Sequence, residues 1–447
     1  MYHLDTLQDV LLNHWQFADI SLLYDDPVGT LWYLHSQPPL LNAVTAALAA
    51  ASVETTYDRF VTFNAVMSSI SAIATFYLAK HVGLGRLPAL LATLLFLFSP
   101  ANLLNVAYPF YPSSSNAVIT TSLAVMTTPR ATLSTVTTSS LLMAALMMLR
   151  ASFTFAHYAL FSLVGLLLQP DRLRRAALLT IVLPLCVPVT WTAKNAIVFG
   201  QMTMSSWSSS NWAAVMVGEH RLREFFPSPS AIVSDYPELS SCSIAHESLS
   251  AFDKRSGHPN FNHCSYLVYP SIALRSVKGQ FSPLQYLARV GNNAVTYLSP
   301  PSLYYYLQNR PRVEYYANAF DRLAFGTITI GATIQGRSIV RTIRLGLWTA
   351  ILVGSLVLAS DLWKQRRALV WPTHAVLVVG LFVLVHMLTH VSTNGAESQR
   401  FVFDVEGLII VLFIWSAVLI ASRLRAVFSF WRRGAPAPAA VGQLGAC

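Results

Sequence analysis

Residues 34–42 read LHSQPPLLN, and they stand between an acidic segment carrying Asp19, Asp25 and Asp26 and an apolar run from Leu40 to Ala51. Proline fixes φ and restrains the residue before it, so Gln37-Pro38-Pro39 predicts an extended elbow whose end starts a helix. The run that follows is apolar for only about a dozen residues, short of the roughly 20 that cross a bilayer core, which predicts an interfacial or re-entrant helix. The carboxylates, His35 and Gln37 are therefore expected at a membrane surface with little freedom to wander. A polar loop ahead of a proline-initiated helix accounts for the elbow equally well, so the surroundings decide.

Of the 447 residues, 54% are hydrophobic and 11% charged, with a mean hydropathy of +0.49. About a quarter of residues are charged in a soluble protein, so the expected fold class is an all-α polytopic membrane protein. The formal net charge of +10 comes from Lys and Arg lying mostly between apolar spans, the pattern of membrane topology and not of a basic nucleic-acid-binding face. Cys186, Cys242, Cys264 and Cys447 show no CxxC pair and no metal-ligand spacing. Cys242 and Cys264 share one long loop and could pair if it is extracytoplasmic.

Spans are predicted at Phe60–Tyr77, Leu87–Leu104, Ala117–Met126, a stretch ending at Arg150, Ser152–Leu168, Ala177–Thr190, Leu345–Leu358, Trp371–Leu388 and Val405–Ile420, about nine in all. The basic hinges at Lys80, His81 and Arg86, at Arg172, Arg174 and Arg175, at Lys364, Arg366 and Arg367, and at Arg423 to Arg433 mark the cytoplasmic side. The domains that result are an extracytoplasmic acidic loop with its interfacial helix (1–58), transmembrane helices (59–195), an extracytoplasmic loop domain (196–337), further transmembrane helices (338–425) and a Pro/Ala/Gly tail expected to be disordered in the cytoplasm (426–447). Met1 to Asp26 lacks the basic and apolar regions of a cleavable signal. An external N-terminus then predicts either that the first span carries the interfacial segment across or, the favoured reading, that one helix preceding the acidic loop is missing from this sequence.

The run HWQFAD..LLYDDPVGTLWYLHSQPPLLN resembles the first extracytoplasmic loop of polyprenyl-phosphate-sugar-dependent glycosyltransferases of the GT-C superfamily, which includes protein O-mannosyltransferases and lipid A aminoarabinose transferases. The form LxYLHSQPPLxN is that of a family 39-like subgroup. KNxxxFG followed by SSW at Lys194 to Trp207, SGHPNFNH at Ser256 to His263 and ExxRFxF at Glu397 to Phe403 extend the resemblance over most of the chain. Relatives begin with a transmembrane helix before this loop, which agrees with a missing first helix.

The resemblance implies a GT-C-like transmembrane bundle that moves a sugar, with inversion, from a dolichyl or undecaprenyl phosphate to a hydroxyl acceptor. The reaction would occur on the extracytoplasmic face of the endoplasmic reticulum or bacterial plasma membrane. Asp26, with Asp25 and Asp19 as rivals, is the expected general base, and cations stabilise the departing lipid phosphate. Arg59, Arg150, Lys194 and Arg400 lie at external ends of spans, where orientation does not call for them; with His35 and Gln37 they are the candidate donor-binding residues. Snorkelling or ion pairs, Arg59 with Asp58 or Arg400 with Glu397, compete with that role. Arg337, Arg341 and Arg344 also fall on the external side.

His258, Asn260, Asn262 and His263 suit sugar hydroxyls. The two histidines with Cys264 do not have zinc-motif spacing, so no metal ligand set is assigned, although a divalent cation remains compatible. Trp207, Trp212 and Tyr304 to Tyr306 suit an interfacial belt or sugar stacking, and His157 reads as a buried, satisfied histidine. The expected partners are the polyprenyl-phosphate donor, membrane lipid and a hydroxyl acceptor, without nucleic acid. A transporter or lipid-handling protein would carry similar spans, but no internal repeat supports it; an inactive paralogue is the other alternative.

Overall fold

A computed structural model describes residues 11, 17–129, 132–167, 171–206, 208–218, 278–303, 307, 309–334, 337–365, 371–393 and 398–434. Two short helices, α1 (Ile20–Asp25) and α2 (Pro27–Trp32), precede the elbow, and α3 (Leu40–Ala49) starts directly after Pro39. The bundle then comprises α4 (Thr56–His81), α5 (Arg86–Leu97), α6 (Pro100–Val106), α7 (Pro112–Met126), α8 (Leu133–Leu149), α9 (Phe155–Leu167) and α10 (Asp171–Phe199). After α11 (Ser208–Val217), α12 (Pro283–Tyr297) and α13 (Glu314–Phe325) comes a hairpin of β1 (Ile328–Ile334) and β2 (Arg337–Ile343), then α14 (Leu345–Gln365), α15 (Trp371–Thr393), α16 (Ser398–Asp404) and α17 (Glu406–Gly434).

The protein is a multi-pass membrane protein. Five helical stretches are long and apolar enough to cross a bilayer: Thr56–His81, Ala176–Phe199, Leu345–Leu362, Pro372–Thr393 and Glu406–Ala426. Of the nine expected spans, the others do not reach that length among the described residues. Among the described residues α7, α8 and α9 are helical but have 15, 17 and 13 residues, below the roughly 20 that a perpendicular crossing needs.

The continuous span expected from Leu87 to Leu104 is broken. α5 and α6 meet at a bend of 51°, because Pro100 brings no N–H and restrains Ser99 away from helical geometry. Ser99 caps the new helix, its Oγ accepting from the Asn102 N–H at 3.1 Å, and Asn102 Nδ2 returns a hydrogen bond to the Leu97 carbonyl at 3.0 Å. Counted as one span, the bent pair would make a sixth.

Small polar residues line the contacts between these helices, as lipid-embedded packing favours. Ser122 on α7 and Ser139 on α8 each donate Oγ to the other's carbonyl, at 3.2 and 3.1 Å. Gly354 lets α14 approach α17 so closely that an added Cβ would collide with Ser416. One apolar core runs through α4, α5, α7, α8, α15 and α17. A second joins Phe17, Ile20 and Leu41 to Tyr57, Phe60, Tyr111 and Leu149, and it seats the acidic segment on the ends of α4, α7 and α8.

The hairpin is the only sheet among the described residues and was not expected. Its antiparallel register runs from Ile328 opposite Ile343 to Ile334 opposite Arg337, between two runs rich in β-branched residues. Arg337 and Arg341, expected in an external basic stretch, belong to β2.

Candidate functional site

The acidic segment is shaped by its own carboxylates. Asp19 caps α1, with Oδ1 accepting from the Ser21 backbone N–H at 2.9 Å and from Ser21 Oγ at 2.7 Å. Asp26 closes α1 and caps α2, with Oδ1 accepting from the Gly29 N–H at 2.9 Å. These are ordinary N-cap geometries, favoured because the first amides of a helix lack internal acceptors. Asp25 is exposed and caps neither helix. Asn42, the last residue of the quoted motif, accepts from the Ala18 N–H at 2.7 Å and so ties the acidic segment to α3.

The elbow itself is buried from Leu34 to Pro38, and it is held by the stretch that follows α10. His35 Nδ1 is 2.9 Å from Ser206 Oγ, and the Ser206 N–H donates to the His35 carbonyl at 3.0 Å. Ser205 Oγ donates to the Ser36 carbonyl. Lys194 reaches across from α10: Nζ donates to the Leu34 carbonyl at 2.7 Å and to the Trp32 carbonyl at 3.0 Å, while lying 3.6 Å from the centre of the Trp191 ring. Two of the sequence strings that carry the family resemblance, LHSQPPLLN and the KN…SSW stretch, are thus bonded to each other.

Lys194→Met is expected to keep the packing against Trp191 and Phe199 while leaving two loop carbonyls without their charged donor. Each such loss costs about 1–3 kcal/mol, enough to loosen residues 32–37 without unfolding the bundle. Faster amide exchange confined to 32–37 would be the result; unchanged exchange there would show that the serines alone hold the elbow.

Arg150 is the C-cap residue of α8 and forms a buried ion pair with Asp404 at the end of α16. The guanidinium lies 4.3 Å from the Tyr111 ring centre and 4.2 Å from that of Phe401. His386 and His390 on α15 face the same carboxylate, with His386 Nε2 at 3.7 Å from Asp404 Oδ2, and Tyr297 at the end of α12 bonds His386 Nδ1 at 2.8 Å. Burial, with Asp404 adding to it, pushes the Tyr297 hydroxyl well above the usual tyrosine range, so it stays protonated. Asp404, His386 and His390 were not singled out from the sequence. The signals available were the i, i+4 histidines on one helical face and the aspartate one residue beyond the ExxRFxF string.

A second buried charge network centres on Arg344, between β2 and α14. Its Nε and Nη2 donate to Asp321 Oδ1 at 2.9 and 2.7 Å, and Nη1 donates to Glu406 Oε1 at 3.0 Å. Ser99, at the α5/α6 break, donates to the other Glu406 oxygen at 3.1 Å. Burial works against the charge on Arg344, but Asp321 and Glu406 together outweigh it and hold its pKa above the ordinary arginine value.

The remaining expected residues fall elsewhere. Arg59 Nη1 donates to the Leu48 carbonyl at 2.9 Å, near the negative end of α3, and not to Asp58. Arg400 lies on α16, but its side chain, like Glu397, His258, Asn260, Asn262, His263, Trp207, Tyr304 to Tyr306, Cys242 and Cys264, is outside the described residues. Trp212 is exposed on α11. His157 is buried and its Nδ1 accepts from the Thr154 N–H at 3.2 Å, a satisfied histidine at the start of α9.

No protein-family model matches the sequence, and no curated protein does. Two solved structures of the oligosaccharyltransferase from Archaeoglobus fulgidus are similar to the chain. The apo form has 11% identity and a TM-score of 0.41 over 89% of this chain and 44% of that one. The form tethered by a disulfide to an acceptor peptide with the NVT sequon has 12% identity and a TM-score of 0.40 over 94% and 46%. The chain spans less than half the length of those proteins.

Proposed function

We propose that the protein is an integral-membrane inverting glycosyltransferase that uses a polyprenyl-phosphate sugar as donor and a hydroxyl group as acceptor. The observation carrying this reading is the bonding of LHSQPPLLN to Lys194, Ser205 and Ser206 directly after α2, the helix that Asp26 caps. Those are the residues on which the resemblance to GT-C enzymes rests.

In this reading Asp26 is the base. One of its oxygens holds the cap and the other takes the proton from the acceptor hydroxyl. The acceptor oxygen attacks the anomeric carbon from the face opposite the phosphate, the bond to the phosphate oxygen breaks, and the lipid phosphate leaves with the electron pair. Its charge is met by cations rather than by a strong acid. Arg59 and Arg400 are assigned to the donor side with His35 and Gln37, the last two as walls of the elbow, while Arg150 and Lys194, held by Asp404 and by the elbow carbonyls, position that side. His258, Asn260, Asn262 and His263 are assigned to the sugar or acceptor.

Membranes containing the protein, incubated with radiolabelled polyprenyl-phosphate hexoses and pentoses, are expected to consume one donor class and release the free lipid phosphate. No consumption of any donor above control membranes would overturn the reading.

A further inference from the structure

His386 and His390 lie one turn apart on the same face of α15, and Asp404 ends α16 beside them. All three are fully buried. One ligand atom from each lies within 4.8 Å of the other two. His386 Nδ1 is taken by the Tyr297 hydroxyl at 2.8 Å, which leaves Nε2 as the nitrogen facing Asp404. That Nε2 has no hydrogen-bond partner, and neither has Asp404 Oδ1.

The separation of His386 Nε2 from Asp404 Oδ2, 3.7 Å, is longer than a hydrogen bond. It is close to the roughly 3.3–3.6 Å between two donors that share one ion at about 2.0–2.2 Å in tetrahedral geometry. The surroundings fix the donors. Tyr297 accepting from Nδ1–H would select the tautomer whose Nε2 lone pair faces the carboxylate, which is how an outer hydrogen bond orients a ligating histidine. Arg150 holds the same Asp404 oxygen, Oδ2, that faces His386, so Oδ1, which has no hydrogen-bond partner, is the oxygen left for an ion. Phe401 stacks on His390 with ring centres 3.9 Å apart, and Phe153 lies 5.5 Å from His386.

We propose that His386, His390 and Asp404 form a binding site for a divalent transition-metal ion of the zinc type. Two imidazoles and one carboxylate suit zinc or ferrous iron rather than magnesium or calcium, which take oxygen ligands. Three protein ligands leave a fourth position open. Arg150 already balances Asp404, so the ion's own charge favours hydroxide or another anion there. The competing arrangement is metal-free, with the other tautomer of His386 directing Nε2–H toward Asp404.

The full chain, purified in detergent, stripped with a chelator, reloaded with zinc alone and desalted, is expected to retain about one ion per chain. Cobalt in its place should give the intense visible absorption of a four-coordinate site. His386→Gln and His390→Gln, each checked for a monodisperse profile, should lose both signals. Tyr297→Phe, which removes only the positioning hydrogen bond, should weaken zinc retention about 10- to 100-fold. Wild-type protein that retains no zinc, a six-coordinate cobalt spectrum, or equal retention by His390→Gln would overturn the proposal in favour of the metal-free histidine and aspartate pair. Should a variant fail to fold, the cobalt spectrum of the wild type decides alone. None of these readouts depends on glycosyl transfer.

Discussion

Arg344→Met is expected to abolish recovery of folded protein. The substitution leaves Asp321 and Glu406 facing each other without the cation between them, and both are buried, at 4% and 0% exposure. Removing one partner of a buried ion pair costs about 3–5 kcal/mol, and here two carboxylates lose theirs, against a total stability of about 5–15 kcal/mol. The loss would also open a joint in the fold. Arg344 is bonded to Asp321 on α13, to Glu406 at the start of α17 and, through its N–H, to the Leu298 carbonyl at 3.3 Å, while Ser99 on the opposite side bonds the same Glu406. Arg344→Lys should recover only part, because one ammonium cannot serve both acids as the guanidinium fork does. The combination Arg344→Met, Asp321→Asn, Glu406→Gln removes cation and anions together and should restore a monodisperse protein. Size-exclusion profiles and thermal unfolding in detergent decide it. Wild-type unfolding by Arg344→Met alone would mean that the Arg344 network does not hold these helices together.

Apolar runs made the helices legible in the sequence, because burial in lipid or core demands them whatever the tertiary partner. Length was less legible. The Ser99-Pro100 dipeptide divides a stretch whose composition reads as one span, and its capping hydrogen bond is a local signal outweighed by the hydropathy around it. The hairpin was hidden by its arginines, which read as a basic flank although Ile328 to Ile343 alternates as strands do. At the candidate site, the elbow, the acidic caps and Lys194 stood out by residue type, and their meeting did not, since Lys194 and Leu34 are 160 positions apart. Asp404 and Arg150 are separated by 254 positions; Arg150 read as a charge at the end of a span and Asp404 did not stand out at all, and only their pairing explains why both are there. His386 and His390 were masked by the apolar residues between and around them.

Asp26→Asn is expected to lower glycosyl transfer by about 10²–10⁴-fold, the usual contribution of a general base, while leaving the fold intact. Asparagine caps a helix about as well as aspartate, so the hydrogen bond from the Gly29 N–H to Oδ1 survives and only the proton-accepting oxygen is lost. Asp26→Ala removes cap and base together, adding about 1 kcal/mol of instability, and separating these two variants isolates the chemistry from the capping. Gly29→Ala should mimic the base defect without touching the carboxylate itself. A Cβ at Gly29 would collide with Asp26 Oδ2, the oxygen not engaged in the cap, and would turn it out of position. Asp25→Asn serves as the control, because Asp25 caps neither α1 nor α2 and its replacement should change neither structure nor rate. Turnover is measured with saturating donor on protein of matched thermal stability. An active Asp26→Asn beside an inactive Asp25→Asn would transfer the base to Asp25 and reduce Asp26 to a helix cap.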